Sequence, residues 1–202
     1  MTFPKAVFFG DSLTQFGWTH EGGWLSILAS TFVSLNMQLY SLTTRKSTVV
    51  YLERQLFKYR MWSLQFCKLT LKLDVPTDHI SLISLPPIDE NKWGAIEIAK
   101  GRAITRRLDT CATYAIACQE VANINEVSFV NLYEAMLMQK NWESFLSDGL
   151  HFSRKGSEFL ARILENLLTD KLGDLKWWFP DWKVINPNDP AEFISHYLQS
   201  QM

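Results

Sequence analysis

The feature that most constrains the fold is a short, wholly apolar run, Ala6-Val7-Phe8-Phe9, which is followed directly by Gly10-Asp11-Ser12. A strand whose side chains are all apolar is typical of the interior of a parallel sheet, where both faces are covered. The stretches Ile80–Leu85 and Val127–Leu132 have the same character. Pro86-Pro87 ends the run Ile80–Leu85, because proline has no backbone N–H to donate to a neighbouring strand. Together the three runs predict a parallel sheet.

Between these runs, apolar residues recur at helical spacing. One such pattern begins near Gly23 and predicts a helix there. A long helix is predicted over residues 98–122, and Ser153 is expected to cap a last helix. The apolar positions are Trp24, Leu25, Leu28 and Phe32 in the first helix, Ile104, Leu108, Cys111, Ala115 and Ala122 in the second, and Phe159, Leu160, Ile163, Leu164 and Leu167 in the last. Strands that alternate with helices predict an α/β layer fold.

Composition excludes several classes of protein. The 202 residues are enough for one domain with a sizeable core, and 47% apolar with 20% charged residues is ordinary for a soluble globular protein. The formal net charge of −1 gives no overall field that would attract nucleic acid or an anionic membrane. Cys67, Cys111 and Cys118 are odd in number and lack C-x-x-C spacing, which argues against a disulfide framework or a zinc site and fits a reducing compartment.

The sequence also predicts a cytoplasmic protein. The amino-terminal stretch lacks the apolar core of a signal peptide, and no apolar stretch approaches the roughly 18 residues that a membrane helix needs. No N-x-[ST] glycosylation sequon is present.

Residues 31–75 depart from this pattern. No glycine lies between Trp24 and Gly94, whereas several α/β turns would normally contain some. The segment has seven basic and two acidic residues, a local charge of +5, mixed with aromatic side chains. Such a mixture is found in nucleic-acid contacts, but it also describes a solvated helix face with a partly buried aromatic side. We favour the second interpretation, because no known nucleic-acid-binding motif is present.

We predict a single domain over residues 1–182, with 31–75 as an atypical segment and 183–202 as a carboxyl-terminal tail. The aromatic residues at 177–182 are expected to pack back on the domain.

Two separated motifs carry the chemistry. Ser12 follows the first predicted strand, at the edge of an α/β sheet where ligands bind. Asp148 and His151 are three residues apart, in a predicted loop before the last helix. Acyl transfer needs a nucleophilic hydroxyl, a base that takes its proton and an acid that orients the base, and Ser12, His151 and Asp148 could fill these roles. The backbone amide of Ser12 is then a natural donor to the oxyanion.

Each piece also has a structural interpretation. Asp11-Ser12 could be a plain turn, and we expect Asp11 to hydrogen-bond its own turn rather than hold the histidine. We expect His20, His79 and His196 to lie on the surface, although His20 could line a substrate pocket. Cys111 and Cys118 are expected to be core residues. For Asp89-Glu90, we prefer solvated loop carboxylates to a metal or acid pair.

The sequence FGDSLTQF, together with SDGLHFSRKG, resembles the GDSL family of SGNH hydrolases. More narrowly, GDSLTQFG, LPPIDENKW and DGLHFS resemble the isoamyl acetate-hydrolysing esterases. The resemblance covers about residues 3 to 30 and 76 to 182. It implies a three-layer α/β/α sandwich with a parallel sheet. It also implies a serine esterase that acts on short-chain acyl esters such as acetates and needs no metal or cofactor, with Ser12 as nucleophile, His151 as base and Asp148 as orienting acid.

The chain departs from the family at the oxyanion hole. The family takes a glycine and an asparagine, the latter in a G-x-N-D block, as two further oxyanion donors, and neither block is found here. The oxyanion donors other than the Ser12 amide are therefore unknown, and part of the sheet is expected to be altered or missing. The alternative to an active esterase is an impaired or inactive relative, a splice variant or truncated copy. The sequence predicts a small-molecule ester as partner and no nucleic acid.

Overall fold

A computed structural model describes residues 5–20, 22–32, 38–43, 75–172 and 188–189. In chain order the strands and helices are β1 (Lys5–Gly10), α1 (Ser12–Gln15), α2 (Trp24–Phe32), β2 (Gln38–Thr43), β3 (Ser81–Ile83), α3 (Glu90–Ala99), α4 (Leu108–Ile124), β4 (Ser128–Val130), α5 (Leu132–Leu137) and α6 (Arg154–Leu172). Short 3-10 helices lie at Phe16–Trp18, Thr77–His79 and Trp142–Phe145. Cys67, His196, most of the atypical segment and the aromatic tail lie outside the described residues.

The strands pair in parallel, as predicted. β1 runs beside β2, with Lys5 opposite Gln38 and Gly10 opposite Thr43. β3 runs beside β4, and the Ser84 amide continues this ladder by donating to the Val130 carbonyl at 3.0 Å. Over the described ranges the strands form two pairs rather than one continuous sheet. This arrangement agrees with the expectation that part of the sheet is altered or missing.

Helices cover both faces of the β3–β4 pair. Adjacent residues of a strand point to opposite faces. Leu82 is buried in a cluster with the α4 residues Cys118, Val121 and Ala122. Its neighbour Ile83 packs instead against the main core cluster, to which α2, α5 and α6 contribute. Helix, sheet and helix therefore form the three predicted layers.

The main core lies between α2 and α6. Leu25 and Leu28 of α2 are fully buried, and Leu164 of α6 is 1% exposed in the same cluster. Ala6 and Phe8 of β1 pack against this cluster, so α2 and α6 cover one face of β1. Val7 points to the opposite face and is 57% exposed, so this face of β1 is open to solvent at that residue.

One helix prediction was wrong in its first half. Residues 98–122 do not form a single helix, because α3 ends at Ala99 and α4 begins at Leu108. Gly101 has a φ of +66°, which a continuous right-handed helix cannot contain. Ile104 therefore lies in the connection, where its side chain lies against Gly94 of α3. The apolar spacing continued across a break that the glycine imposes.

The other elements differ mainly in length. β2 was not predicted and lies within the atypical segment. β3 and β4 are shorter than the apolar runs that predicted them. β4 ends at Val130 because Asn131 already caps α5 by accepting from the Glu134 amide at 3.2 Å. α2 begins one residue after Gly23, and α6 directly follows Ser153. Ser153 Oγ accepts from the Gly156 amide at 3.2 Å, which is the predicted cap.

Truncation of Leu28 should show how much stability the α2–α6 contact provides. Leu28 is fully buried, so Leu28→Ala leaves a cavity and should lower the free energy of unfolding by about 2–5 kcal/mol. Thr31→Ala, on the exposed side of the same helix, is the control and should change it by less than about 0.5 kcal/mol. Urea unfolding followed by circular dichroism measures both. Equal effects would contradict the assignment of the core.

Candidate active site

Ser12 lies on a tight turn that Asp11 organises. β1 ends at Gly10, and Asp11 caps α1 by accepting from the Leu13 amide at 3.0 Å. The Thr14 and Gln15 amides donate to the Asp11 carbonyl at 3.1 and 2.9 Å. Asp11 therefore has the predicted structural role, and it places Ser12 as the first residue of the helix.

The chain after this turn folds back onto it. Gly23 lies so close to Gly17 that a Cβ at Gly23 would overlap the Gly17 carbonyl. The indole Nε1 of the next residue, Trp24, donates to the Leu13 carbonyl at 3.0 Å. Because Trp24 is 5% exposed and begins α2, this contact ties the Ser12 turn to the main core.

Asp148 and His151 form a closely connected pair. His151 Nδ1 lies 2.7 Å from Asp148 Oδ2. Asp148 Oδ1 accepts from the backbone amides of Leu150 at 2.9 Å and His151 at 2.7 Å. An Nδ1–H that donates to a carboxylate leaves Nε2 with a lone pair, which is the tautomer that a general base requires.

The environment of Asp148 favours its charged form. Burial acts to raise the pKa of this carboxyl, but the backbone amide and ring of His151 and the amide of Leu150 outweigh it and hold the pKa below its usual value. A hydrogen bond to the ionised form is the physical cause, since it is lost when the acid is protonated. Asp148 is therefore an anion at neutral pH, as an orienting carboxylate must be.

The histidine loop docks on the amino-terminal end of α3. The Asp89 amide donates to the Gly149 carbonyl at 3.0 Å, and Lys92 Nζ donates to the Leu146 carbonyl at 3.3 Å. A Cβ at Gly149 would lie 2.7 Å from the Trp93 nitrogen and 2.8 Å from the Asp89 oxygen. The loop can approach this closely only because residue 149 has no side chain.

Asp89 and Glu90 have structural roles in α3. Asp89 caps α3 by accepting from the Lys92 amide at 3.1 Å. Glu90 Oε1 accepts from the Leu108 amide at 2.6 Å and so joins α3 to α4. They are not the simple solvated loop carboxylates that we expected. No group of three or more His, Cys, Asp or Glu side chains suited to a metal ion is found among the described residues.

The other candidates mostly have structural positions. His20 and His79 are exposed, as predicted. Cys118 is 2% exposed in the core, and burial raises the pKa of the Cys111 thiol to about 11, which keeps that thiol protonated.

None of the helices in the described ranges is long and apolar enough to cross a membrane.

Aromatic residues bring the two motifs together. Phe16, one helical turn after Ser12, lies with its ring centroid 5.3 Å from that of His151 at an interplanar angle of 82°. The Trp93 ring lies 6.2 Å from the same imidazole at 77°. No hydrogen bond joins Ser12 to His151 among the described contacts, and Phe16 is the side chain that bridges the two motifs.

A cavity of about 400 Å³ opens beside His151. The first motif contributes to its wall through Leu13 and Phe16 and not through Ser12 itself, and the second motif contributes Asp148 and His151. The lining residues are Leu13, Phe16, Thr19, Gly22, Trp24, Ser147, Asp148, His151, Phe152, Ser153, Arg154 and Ser157. Sequence reasoning identified Asp148 and His151 but missed Phe16, Trp93 and the α6 residues Arg154 and Ser157. The helical spacing of Ser12 and Phe16 was the one available signal, because residues four apart share a helix face.

Several proteins of known name are similar in sequence to this chain. No protein-family model matches the sequence. The isoamyl acetate-hydrolyzing esterase 1 homolog of Mus musculus is 29% identical over 231 aligned residues, which cover 94% of this chain and 91% of that protein. A GDSL esterase/lipase of Arabidopsis thaliana is 31% identical over 134 residues, or 63% of this chain and 55% of that protein. Because the mouse alignment is longer than the whole 202-residue chain, it must leave gaps in this chain.

Solved structures show the same fold. A lipase/acylhydrolase from Enterococcus faecalis superposes with a TM-score of 0.62 at 16% identity, covering 83% of this chain and 96% of that one. The acetyl xylan esterase AlAXEase gives a TM-score of 0.60 at 14% identity, with 80% and 98% covered. These similarities confirm the predicted α/β/α sandwich.

Substitution of Gly149 should disturb the histidine loop. Gly149 has a φ of +89° and no room for a Cβ, so Gly149→Ala combines backbone strain with a collision and should cost roughly 2–4 kcal/mol of unfolding free energy. The matched control is Gly101→Ala, whose φ is +66° but whose Cβ would meet nothing within 4 Å, so it should cost only about 1–2 kcal/mol. Urea titration measures both. A smaller effect at Gly149 than at Gly101 would refute the docking described here.

The lowered pKa of Asp148 predicts how its contribution to stability depends on pH. Because the folded pKa lies below the unfolded one, the carboxylate stabilises the fold above the unfolded pKa of about 3.9, and this contribution is lost as the pH falls through the folded pKa. Asp148→Asn should therefore be less stable than wild type at pH 5–8 by roughly 1–2 kcal/mol, and the difference should shrink below about pH 4.

Urea unfolding at a series of pH values tests this prediction. Asp170→Asn, which changes an exposed carboxylate on α6, is the control and should follow wild type throughout. A stability difference between Asp148→Asn and wild type that is the same at pH 3 and pH 7 would count against the ionised Asp148.

Proposed function

Because the chain belongs to the GDSL/SGNH hydrolase family of serine esterases, we propose that it hydrolyses short-chain acyl esters, acetates among them, through Ser12, His151 and Asp148. The observation that carries the proposal is the 2.7 Å contact between His151 Nδ1 and Asp148 Oδ2 in a loop against which the Ser12 turn packs. Asp148 and His151 line the cavity together with Leu13 and Phe16, which lie one and four residues after Ser12, and this supports the proposal.

The proposed reaction gives each of these residues a distinct role. Ser12 Oγ attacks the ester carbonyl while His151 Nε2 takes its proton. Asp148 holds the imidazole in the required tautomer and stabilises the imidazolium that forms. The protonated histidine then donates to the leaving alkoxide, which departs as the alcohol and leaves an acyl-Ser12 intermediate. Water, deprotonated by His151, attacks this intermediate, and Ser12 is released together with the carboxylic acid.

The Ser12 hydroxyl must come closer to His151 during the reaction. Catalytic hydrogen bonds are often long or absent in a free enzyme and tighten when the substrate is bound. Ser12 and Phe16 are four residues apart on one helical turn, so the face that carries Phe16 against His151 also carries Ser12. The proposed reaction therefore requires Ser12 Oγ and His151 Nε2 to come within hydrogen-bond distance when the substrate is bound.

A second candidate is a catalytically impaired member of the family. The absent glycine and G-x-N-D blocks favour it, since they would supply two of the oxyanion donors. The loss of one such donor typically lowers the rate by roughly 10²–10³-fold. With the Ser12 amide as the remaining assigned donor, acylation could be slow even where the Asp148–His151 pair is intact.

Covalent labelling distinguishes the two candidates. We expect a fluorophosphonate ester to add one phosphonyl group to the wild-type chain, detected by intact mass, and to add none to Ser12→Ala, because an activated serine is the target of this reagent. Ser30→Ala, which removes an exposed hydroxyl on α2, is the control and should label like wild type. Circular dichroism must show that all three proteins are folded.

Rates then show how much the oxyanion hole contributes. An active esterase should release acetic acid from isoamyl acetate, and Asp148→Asn should lower kcat by about 10⁴-fold through the wrong histidine tautomer. A folded wild-type chain that is neither labelled nor active would support the impaired relative instead.

A further inference from the structure

The cavity beside His151 has a polar side that the proposed reaction does not use. Arg154 and Ser157, both in the first turn of α6, line this side together with Gly22. We propose that this side is a subsite for a carboxylate, so that the preferred substrates are esters carrying a carboxylate a few atoms from the ester group. This inference rests on the proposed esterase function and adds the chemical class of its substrate.

Ser157 is the first observation that points to a ligand. Its side chain is on a residue only 6% exposed, yet within the described part of the chain its hydroxyl makes no hydrogen bond. A serine in a helix commonly donates to the carbonyl four residues earlier, but here the Ser153 carbonyl accepts only the Ser157 amide, at 2.8 Å. Among the described residues, only Ser81 has a fully buried side-chain oxygen without a partner, so the Ser157 hydroxyl is still reached by solvent. Because Ser157 lines the cavity, its hydroxyl is free to bind a polar group held there.

Arg154 supplies the charge. Its Nε donates to Glu158 Oε1 at 3.0 Å, whereas Nη1 and Nη2 have no hydrogen-bond partner in the described ranges. The guanidinium lies over Gly22, where a Cβ would meet Nη1 at 3.4 Å, so the glycine leaves room for it. The two terminal nitrogens of an arginine match the two oxygens of a carboxylate.

The direction of α6 adds to this charge. Arg154 is its first residue, so the positive end of the helix dipole faces the same side of the cavity. Two carboxylates oppose it, since Glu158 partly neutralises Arg154 and Asp148 lines the cavity. Asp148 is already hydrogen-bonded to the ring and the backbone amide of His151, and these hydrogen bonds offset part of its negative charge.

The position of His151 makes this a substrate subsite and not a separate regulatory site. His151 lines the same cavity as Arg154, and the apolar side chains of Leu13, Phe16 and Phe152 form the wall beside them. A substrate whose ester lies at His151 could thus place a short carbon chain along this wall and its carboxylate at Arg154.

The test compares each anionic ester with its neutral amide counterpart. Methyl hydrogen succinate and methyl succinamate place the charge on the acyl side, and acetoxyacetate and acetoxyacetamide place it on the alcohol side. In at least one pair, wild type should have a kcat/KM at least 10-fold higher for the carboxylate. Arg154→Gln should lower that value by roughly 10–100-fold and leave the amide unchanged, because a charge-assisted hydrogen bond is lost.

Two further variants separate recognition from structure. Ser157→Ala should lower kcat/KM for the carboxylate ester several-fold, and Glu158→Gln should raise it, since it removes the charge that competes for Arg154. Equal rates for the two members of both pairs in wild type would overturn the subsite while leaving the esterase proposal intact. An equal loss on both members of a pair in Arg154→Gln would assign that residue a structural role and would also overturn it.

Binding decides the matter if the chain hydrolyses none of these esters. N-methylsuccinamate has an amide in place of the ester, so calorimetry can measure its affinity without turnover. Binding to wild type that is lost in Arg154→Gln would support the carboxylate subsite although the esterase proposal had failed. No binding of N-methylsuccinamate to the folded, inactive wild type would overturn it.

Discussion

The close backbone contact between Gly149 and the beginning of α3 is the constraint on which the site depends. It fixes the loop that holds Asp148 and His151, and the same helix supplies Trp93 to one side of the imidazole. The absence of a side chain at Gly149 lets the two backbones approach, and the hydrogen bond from the Asp89 amide to the Gly149 carbonyl then fixes their relative orientation. The LPPIDENKW and DGLHFS stretches therefore pack directly against each other.

Local sequence patterns correctly predicted β1, α2 and α6, the first two and the last of the long elements around the main core. Residues 6–9 of β1 are all apolar, and α2 and α6 have regular apolar stripes that follow a glycine and a serine, so pattern and chain geometry agree. β2 has mixed polarity and gave no such signal. The helix predicted across residue 101 was wrong because apolar spacing alone does not reveal a positive φ.

Only some residues of the candidate site could be predicted from the sequence. The Asp148–His151 pair was predictable because three residues of spacing in a loop let one side chain reach the other. Phe16, Trp93 and Arg154 were not, because their relation to His151 arises from packing between segments that are distant in sequence. The expectation that the basic, aromatic segment is a solvated helix face concerns mostly residues 44–74, which lie outside the described ranges, and it stays a prediction of the sequence.

The contact between Gly17 and Gly23 has a consequence for how such a chain can change during evolution. Together with the Asp11 cap and the Trp24 indole, it makes the Ser12 turn self-contained within about fifteen residues. The histidine loop is likewise held by its contacts with α3 and α6. Insertions or deletions between the two units can therefore accumulate without erasing either motif, so a recognisable active-site signature can outlast changes that remove the machinery around it.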